Sequence, residues 1–167
     1  MIQKNKRFVF VVDDFLPIPI LQHLQELALQ QNYESYINDT GHYGFGVEIQ
    51  KEVLEKDQIV EKIYKDFNLS SKIKIANGRI HMRHNHEKIN HHFDEGSYSF
   101  LLYLKGEPLL HNGTGFLTTD GFLTTCAGFL ENRAVFFNAG LIRHTNMQAL
   151  GESSPRYSLN IFFDYEK

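Results

Sequence analysis

Two periodicities divide the chain. Ile20, Leu21, Leu24, Leu27 and Ala28 recur at helical spacing behind "DDFLPIP" and define one apolar face. A second amphipathic helix is expected after Asp57, a candidate N-cap, with Ile59, Val60, Ile63, Tyr64 and Phe67 on one side. Ahead of both, "RFVFVV" from Arg7 to Val12 reads as a short buried strand. "IKIANGRIHMR" then sets Asn77-Gly78 between strand-like runs, which predicts a hairpin. From Tyr98 onward the pattern is almost wholly extended: "YSFLLYL", "RAVFF", "HTNMQAL" and "RYSLNIFFDY" alternate with turn-rich segments. "GFLTT" occurs at Gly115 to Thr119 and again at Gly121 to Thr125, around Asp120-Gly121. A solenoid needs more repeats, so the pair reads as one hairpin. The expected fold is mainly β with N-terminal helices: a sandwich or jelly roll of about six to eight short strands, backed by the helices. With no linker or low-complexity stretch, residues 1–167 are expected to form a single domain.

Composition narrows the function classes. The chain of 167 residues can bury a real core, and its 42% hydrophobic and 22% charged content is ordinary for a globular protein. A formal net charge of -3 gives no reason to expect a nucleic-acid partner. The single Cys126 excludes an internal disulfide framework and a cysteine-rich zinc motif, and suits a reducing compartment; it reads as packing material. The opening "MIQKNKRFVFVVDDF" is cut short at Asp13, too early for a secretory apolar region. No stretch approaches the ~20 apolar residues of a membrane span. A cytoplasmic location without a membrane partner is the expectation.

Candidate chemistry concentrates at "INHHFDEGSYSFLLYLK", where histidines and acids stand at the mouth of an apolar strand. His92 and Asp94 are two apart, so in extended backbone they leave from one face, while Glu95 leaves from the other. An imidazole and a carboxylate so placed can take adjacent positions on one metal. His144, which follows the turn-like "NAGLIR", is the best third ligand. Two histidines and a carboxylate form a facial triad that leaves three positions of an octahedral iron open. Arg156 and Ser158 share a face of the last strand, and an arginine bordered by "SLNIFF" is costly to bury without an anionic partner. Asp164 is an acid that could reach it in three dimensions; the alternative is a ligand carboxylate held by the guanidinium fork.

The ordered set His92-Phe93-Asp94, His144, Arg156 and Ser158 resembles the 2-oxoglutarate and Fe(II)-dependent oxygenases. "FVVDDFLP" before an amphipathic helix is similar to the opening of small prolyl-hydroxylase-like members, and "YSFLLYL", "NGTGFL" and "RAVFFNAGLIRH" to their core strands in order. The resemblance implies a double-stranded β-helix with a cupin-like jelly-roll core. It implies Fe(II) on His92, Asp94 and His144, and the distal carboxylate of 2-oxoglutarate on Arg156 with Ser158 assisting. It implies a hydroxylase that couples oxidative decarboxylation of 2-oxoglutarate by O2 to hydroxylation of a peptide, protein or small-metabolite substrate, with ascorbate as a possible reductant.

The chain departs from the family's subgroups in places. "HFD" is the collagen-type form, yet those enzymes generally place lysine where this chain has Arg156. Where they often carry a tyrosine for the cosubstrate, Met82 or Arg83 stands here. Nucleic-acid demethylases of the superfamily carry a second arginine shortly after the first, and here only Lys167 follows.

Other features have plainer readings. His81, His84, His86, His91 and His92 could form a second metal site, although loop histidines are more often solvated. "GHYGFG" from Gly41 to Gly46 reads as a substrate lid or as a glycine-rich turn feeding a strand. Asn112 and Thr114 could reach substrate or simply form a turn. Two other classes compete with an oxygenase. A cupin would use His84-Asn85-His86, but Glu87 follows too soon for its motif. A non-catalytic β-sandwich binding module has no need of His92, Asp94, His144 and Arg156 together.

Overall fold

The computed structural model describes residues 6–37, 43–56, 58–70, 73–83, 91–94, 96–147 and 155–165. Helix α1 (Ile18–Gln30) buries Leu21, Leu24 and Ala28, the face the spacing predicts. A short helix α2 (Lys51–Lys56) precedes α3 (Ile59–Asp66), which buries Ile59 and Ile63. Asp57, the expected N-cap, lies outside the described residues, and Gln58 holds the cap position in a left-handed conformation.

The strands form two antiparallel sheets. β1 (Val9–Val12), β2 (Glu34–Ile37), β3 (Tyr43–Glu48), β4 (Ile73–Arg83), β5 (Tyr98–Lys105), β8 (Ala134–Phe137) and β10 (Arg156–Tyr165) make a seven-stranded sheet in the order β1-β8-β5-β10-β4-β3-β2. β6 (Thr114–Leu117), β7 (Leu123–Ala127) and β9 (Arg143–Asn146) make a three-stranded sheet, β7-β6-β9. The two "GFLTT" copies form the β6–β7 hairpin, turning through Gly121 at φ 90°.

Three expectations change. "RFVFVV" is an edge strand of the described sheet, with Phe10, Val11 and Val12 exposed, because among the described residues it pairs only with β8. Asn77-Gly78 makes no hairpin. β4 runs straight through it, pairing Asn77 with Phe162 and Gly78 with Ile161, and the irregularity is a bulge that takes up Ala76. Gly78 lies close to two apolar side chains there, since a Cβ would lie 3.0 Å from Ile49 Cγ2 and 3.1 Å from Leu54 Cδ1 and each would have to shift by a few tenths of an ångström. Tyr43 to Gly46 belong to β3, paired with β2 and β4, so this part of "GHYGFG" is sheet and not lid; Gly41 and His42 lie outside the described residues.

Strand alternation sorts side chains into two layers. Phe100, Leu102 and Leu104 of β5, Ala134 and Phe136 of β8, and Leu159, Ile161 and Phe163 of β10 face the helices in one apolar cluster with Phe15, Leu21, Leu24 and Ile63. Leu101 and Tyr103 of β5 and Val135 and Phe137 of β8 face the smaller sheet, with Phe116, Phe129 and Ile142. β5 is therefore apolar along nearly its whole length because both of its faces are covered. Asn132 ties the helix layer to the sheet: its amide donates to Leu16 O and accepts from Leu16 N–H, both at 2.8 Å.

The turn into β6 is packed against backbone. A Cβ on Gly113 would lie 1.8 Å from Ala127 O and 2.8 Å from Gly128 Cα, atoms that cannot rotate away. Gly113→Ala is expected to destabilise the fold by at least about 1–3 kcal/mol, read as a lower denaturation midpoint.

Candidate metal centre

His92 and Asp94 lie between β4 and β5, outside the regular strands. One antiparallel bridge holds this segment to β9: the His92 N–H donates to His144 O at 3.0 Å, and the His144 N–H to His92 O at 2.9 Å. The bridge sets the two imidazoles side by side, with ring centroids 4.4 Å apart. Asp94 returns to the same face two residues later, as alternation requires. Its Oδ1 is 3.5 Å from His92 Nε2 and 3.4 Å from His144 Nε2. Ser99 Oγ, at the start of β5, donates to Asp94 Oδ2, and the Phe137 ring packs on His144 with centroids 4.9 Å apart.

The donor set fits one metal ion. One donor atom from each of the three residues lies within 4.8 Å of the others. Two ligands about 2.1 Å from one ion, at right angles, would be about 3 Å apart, so only a small contraction would close the Asp94 contacts onto a metal. Burial alone would push the Asp94 carboxyl up, but facing His144, with hydrogen bonds from His144, His92 and Ser99, holds it well below the usual carboxylate range. Burial likewise opposes charge on His144, and Asp94 outweighs it and raises that imidazole. The groups thus hold each other as a charged pair where a divalent cation would replace the proton. Among the described residues, this is the cluster whose donor atoms converge. His84, His86, Glu87 and Glu95 lie outside the described residues, as do the cupin-type readings that depend on them. His91 is exposed, and His81 faces inward from β4.

The triad opens on a cavity of about 310 Å³ between the sheets. Arg156 and Ser158 line it too, so alternation brings both to the predicted face. Both are buried. Arg156 Nη1 donates to Asn112 O and, at 2.7 Å, to Gly113 O, and Nη2 donates to Asn146 Oδ1 at 2.5 Å. These neutral acceptors on the smaller sheet's side fix the guanidinium plane. Asp164 is not its partner: that carboxylate accepts from Ser97 N–H and Oγ. Ser158 Oγ donates to Asn160 Oδ1 at 3.0 Å. Asn112 contributes its carbonyl to Arg156, and the Thr114 hydroxyl accepts from Tyr103 OH at 3.0 Å. Burial pushes the Tyr103 phenol up, so it stays a protonated donor in the cavity wall. Cys126 is half-buried in β7 and does not line the cavity.

Sequence reasoning missed Ser99, Tyr103, Arg79 and Asn146, and although it named His81 and Arg83 it did not see that Asn77, Arg79, His81 and Arg83 alternate into the cavity as one β4 wall. The signal was present, since polar residues occupy every second position from Asn77 to Arg83. The Asn-Gly pair masked it by suggesting a turn.

No family model and no curated protein matches the sequence. Solved structures do match the fold. A Pseudomonas putida prolyl-4-hydroxylase superposes with a TM-score of 0.74 at 15% identity, over 97% of this chain and 95% of that one. A viral collagen prolyl hydroxylase from Paramecium Bursaria Chlorella virus-1 gives 0.69 at 14% identity, over 96% and 90%. HygX from Streptomyces hygroscopicus, solved with nickel, 2-oxoglutarate and hygromycin B bound, gives 0.72 at 8% identity, over 94% and 82%. At such identities the likeness establishes architecture: the two sheets and the helix layer are the jelly-roll, double-stranded β-helix fold that these proteins share, as the resemblance implied.

Proposed function

We propose that the protein is a non-haem Fe(II) dioxygenase that couples oxidative decarboxylation of 2-oxoglutarate to hydroxylation of a second substrate. The observation that carries this reading is the joint placement of a convergent His92-Asp94-His144 donor set and a buried Arg156 on the wall of one cavity. A cupin or a plain binding module would not require both. The structural likeness to proteins solved with 2-oxoglutarate and nickel or iron supports it.

His92, Asp94 and His144 would hold the iron, leaving the remaining coordination positions to ligands. Bound there, the iron supplies the oxygen chemistry; the chain supplies position and dryness. Ser99 orients the Asp94 carboxylate through its second oxygen, and the His92–His144 bridge fixes both rings. Arg156, its plane set by Asn112, Gly113 and Asn146, would bind the distal carboxylate of 2-oxoglutarate, with Ser158 beside it. Phe137 and Leu101 line the cavity with apolar surface that limits water.

The whole chain, 1–167, would act as one such domain. The substrate class divides between a prolyl or other peptide side chain, after the two prolyl hydroxylases, and a small metabolite, after HygX. Reconstituted with Fe(II) and ascorbate under air, the protein is expected to convert 2-oxoglutarate slowly to succinate without added substrate. A screen of peptides and free amino acids, read as a mass gain of one oxygen, identifies the coupled reaction. Absence of succinate from iron-loaded protein would overturn the assignment. No helix among the described residues is long and apolar enough to cross a membrane.

A further inference from the structure

A dicarboxylate held at a metal by one end and at Arg156 by the other must match the distance between the two. Arg156 ends a long side chain from β10, and its rotatable bonds leave the position of its head undetermined by the strand alone. What places the head is where it is fastened. Nη1 donates to Asn112 O and, at 2.7 Å, to Gly113 O, both backbone carbonyls at the turn into β6. Nη2 donates to Asn146 Oδ1 at 2.5 Å. Because a guanidinium only donates, the amide must present its oxygen there. Of these three anchors, Asn146 is the one supplied by a side chain.

That anchor shares its strand with the metal centre. His144 and Asn146 are two apart on β9, so both leave from one face, and both line the cavity. Two residues of antiparallel strand advance about 6.8 Å. The interval is firmly held: β6 pairs Phe116 with His144 and Thr114 with Asn146, and the bridge to His92 secures the strand as well. Gly113 O also accepts the Met147 N–H at 2.9 Å, which ties the carbonyl anchor to the end of β9. One frame thus carries an imidazole of the triad together with the fastenings of the guanidinium.

We propose that Asn146 is a positioning residue that sets the length of the 2-oxo acid: with His144 it holds the two ends of the cosubstrate site at one spacing, so the five-carbon diacid is preferred to its six-carbon homologue. This rests on the oxygenase reading above. Asn146 supplies none of the converging donor atoms and acts through Arg156. A planar fork gives direction as well as charge, so a guanidinium turned out of place meets a carboxylate of a different reach. One methylene more or less typically changes binding by about 10–200-fold where the fit is fixed.

The test uses intact protein loaded with Ni(II), which binds without turnover, titrated calorimetrically with 2-oxoglutarate, 2-oxoadipate and 2-oxobutanoate. Wild type should prefer 2-oxoglutarate to 2-oxoadipate by at least about tenfold. Asn146→Leu removes the acceptor at similar size. It should weaken 2-oxoglutarate by about tenfold and leave the two diacids binding nearly alike. Its Ni(II) affinity should be unchanged, as should its affinity for 2-oxobutanoate, which has no distal carboxylate. Asn146→Asp keeps the shape and the acceptor but pairs its charge with Arg156, so both diacids should weaken together while the preference stays. This nearly isosteric variant carries the test even if Asn146→Leu does not fold. A preference that survives in Asn146→Leu or vanishes in Asn146→Asp would overturn the proposal, as would wild type that binds both diacids alike. Altered 2-oxobutanoate binding in Asn146→Leu would also overturn it, placing the effect at the metal end. Wild type that takes up neither nickel nor 2-oxoglutarate would defeat the oxygenase reading, and this proposal with it.

Discussion

Asp94→Ala is expected to yield a folded protein that no longer retains ferrous iron. Asp94 is the donor that approaches both imidazoles, at 3.5 and 3.4 Å, and its charge favours a cation among buried groups. Removing it strands no opposite charge, because His144 then simply becomes neutral. It also touches neither apolar cluster, so the melting temperature should hold. Removing a group that only orients a ligand typically lowers metal affinity by about 10–100-fold; Ser99→Ala should fall in that range. Asp94→Ala should exceed it, as should His92→Ala and His144→Ala, and Asp94→Asn should approach it because the neutral amide keeps only the size. Exposed His91 is the control, and His91→Ala should bind iron normally. Anaerobic equilibrium dialysis with Fe(II) measures all six variants. An equal loss in His91→Ala and Asp94→Ala would show that the ion sits elsewhere in the histidine run.

The second large effect is at Arg156. Hydrogen bonds to charged groups contribute roughly 1.5–3 kcal/mol each, and a bidentate fork supplies two. Arg156→Lys retains the charge as a point and loses the fork, so 2-oxoglutarate should bind about 10–100-fold more weakly. Arg156→Ala should lose more, and Ser158→Ala less. Iron affinity without cosubstrate should stay unchanged, because Arg156 supplies none of the converging donor atoms. Arg156 also bonds Asn112, Gly113 and Asn146, so the alanine variant should melt at a lower temperature, and the lysine variant separates the two effects. An anaerobic titration of the iron–cosubstrate charge-transfer band gives the affinities. Unchanged 2-oxoglutarate affinity in Arg156→Ala would mean that another group holds the cosubstrate.

How much of this was legible in the sequence depended on whether a signal was local. The face of α1 and the strands from Tyr98 onward were, because each is set by spacing within a few residues. So was the His92–Asp94 pair, since two residues of extended backbone return a side chain to its own face. His144 was reached by its place after a turn, but the bridge that brings it to His92 is a long-range contact that no periodicity encodes. The Asn77-Gly78 error has a physical cause. The pair favours a tight turn in isolation, but here β10 supplies hydrogen bonds along the whole of β4 and β3 covers its other edge. Tertiary pairing overrode local turn chemistry, and the inward row of Asn77, Arg79, His81 and Arg83 went unread with it. Edge position was equally invisible: "FVFVV" looks buried by composition, and only sheet order shows that no described strand pairs beyond it.

The alternation of β10 bears on how such a protein can change over generations. Arg156, Ser158, Asn160 and Phe162 face the cavity, while Leu159, Ile161 and Phe163 anchor the helix layer. Substitutions at the first set can alter what is bound without disturbing the packing that keeps the strand in place, and the second set can drift among apolar residues without altering ligand contacts. Insertion or deletion of one residue has neither freedom, because it exchanges the two faces along everything beyond it. The strand should therefore tolerate replacement far better than any change of length, and new specificities on this scaffold should arise by exchange of side chains at fixed register.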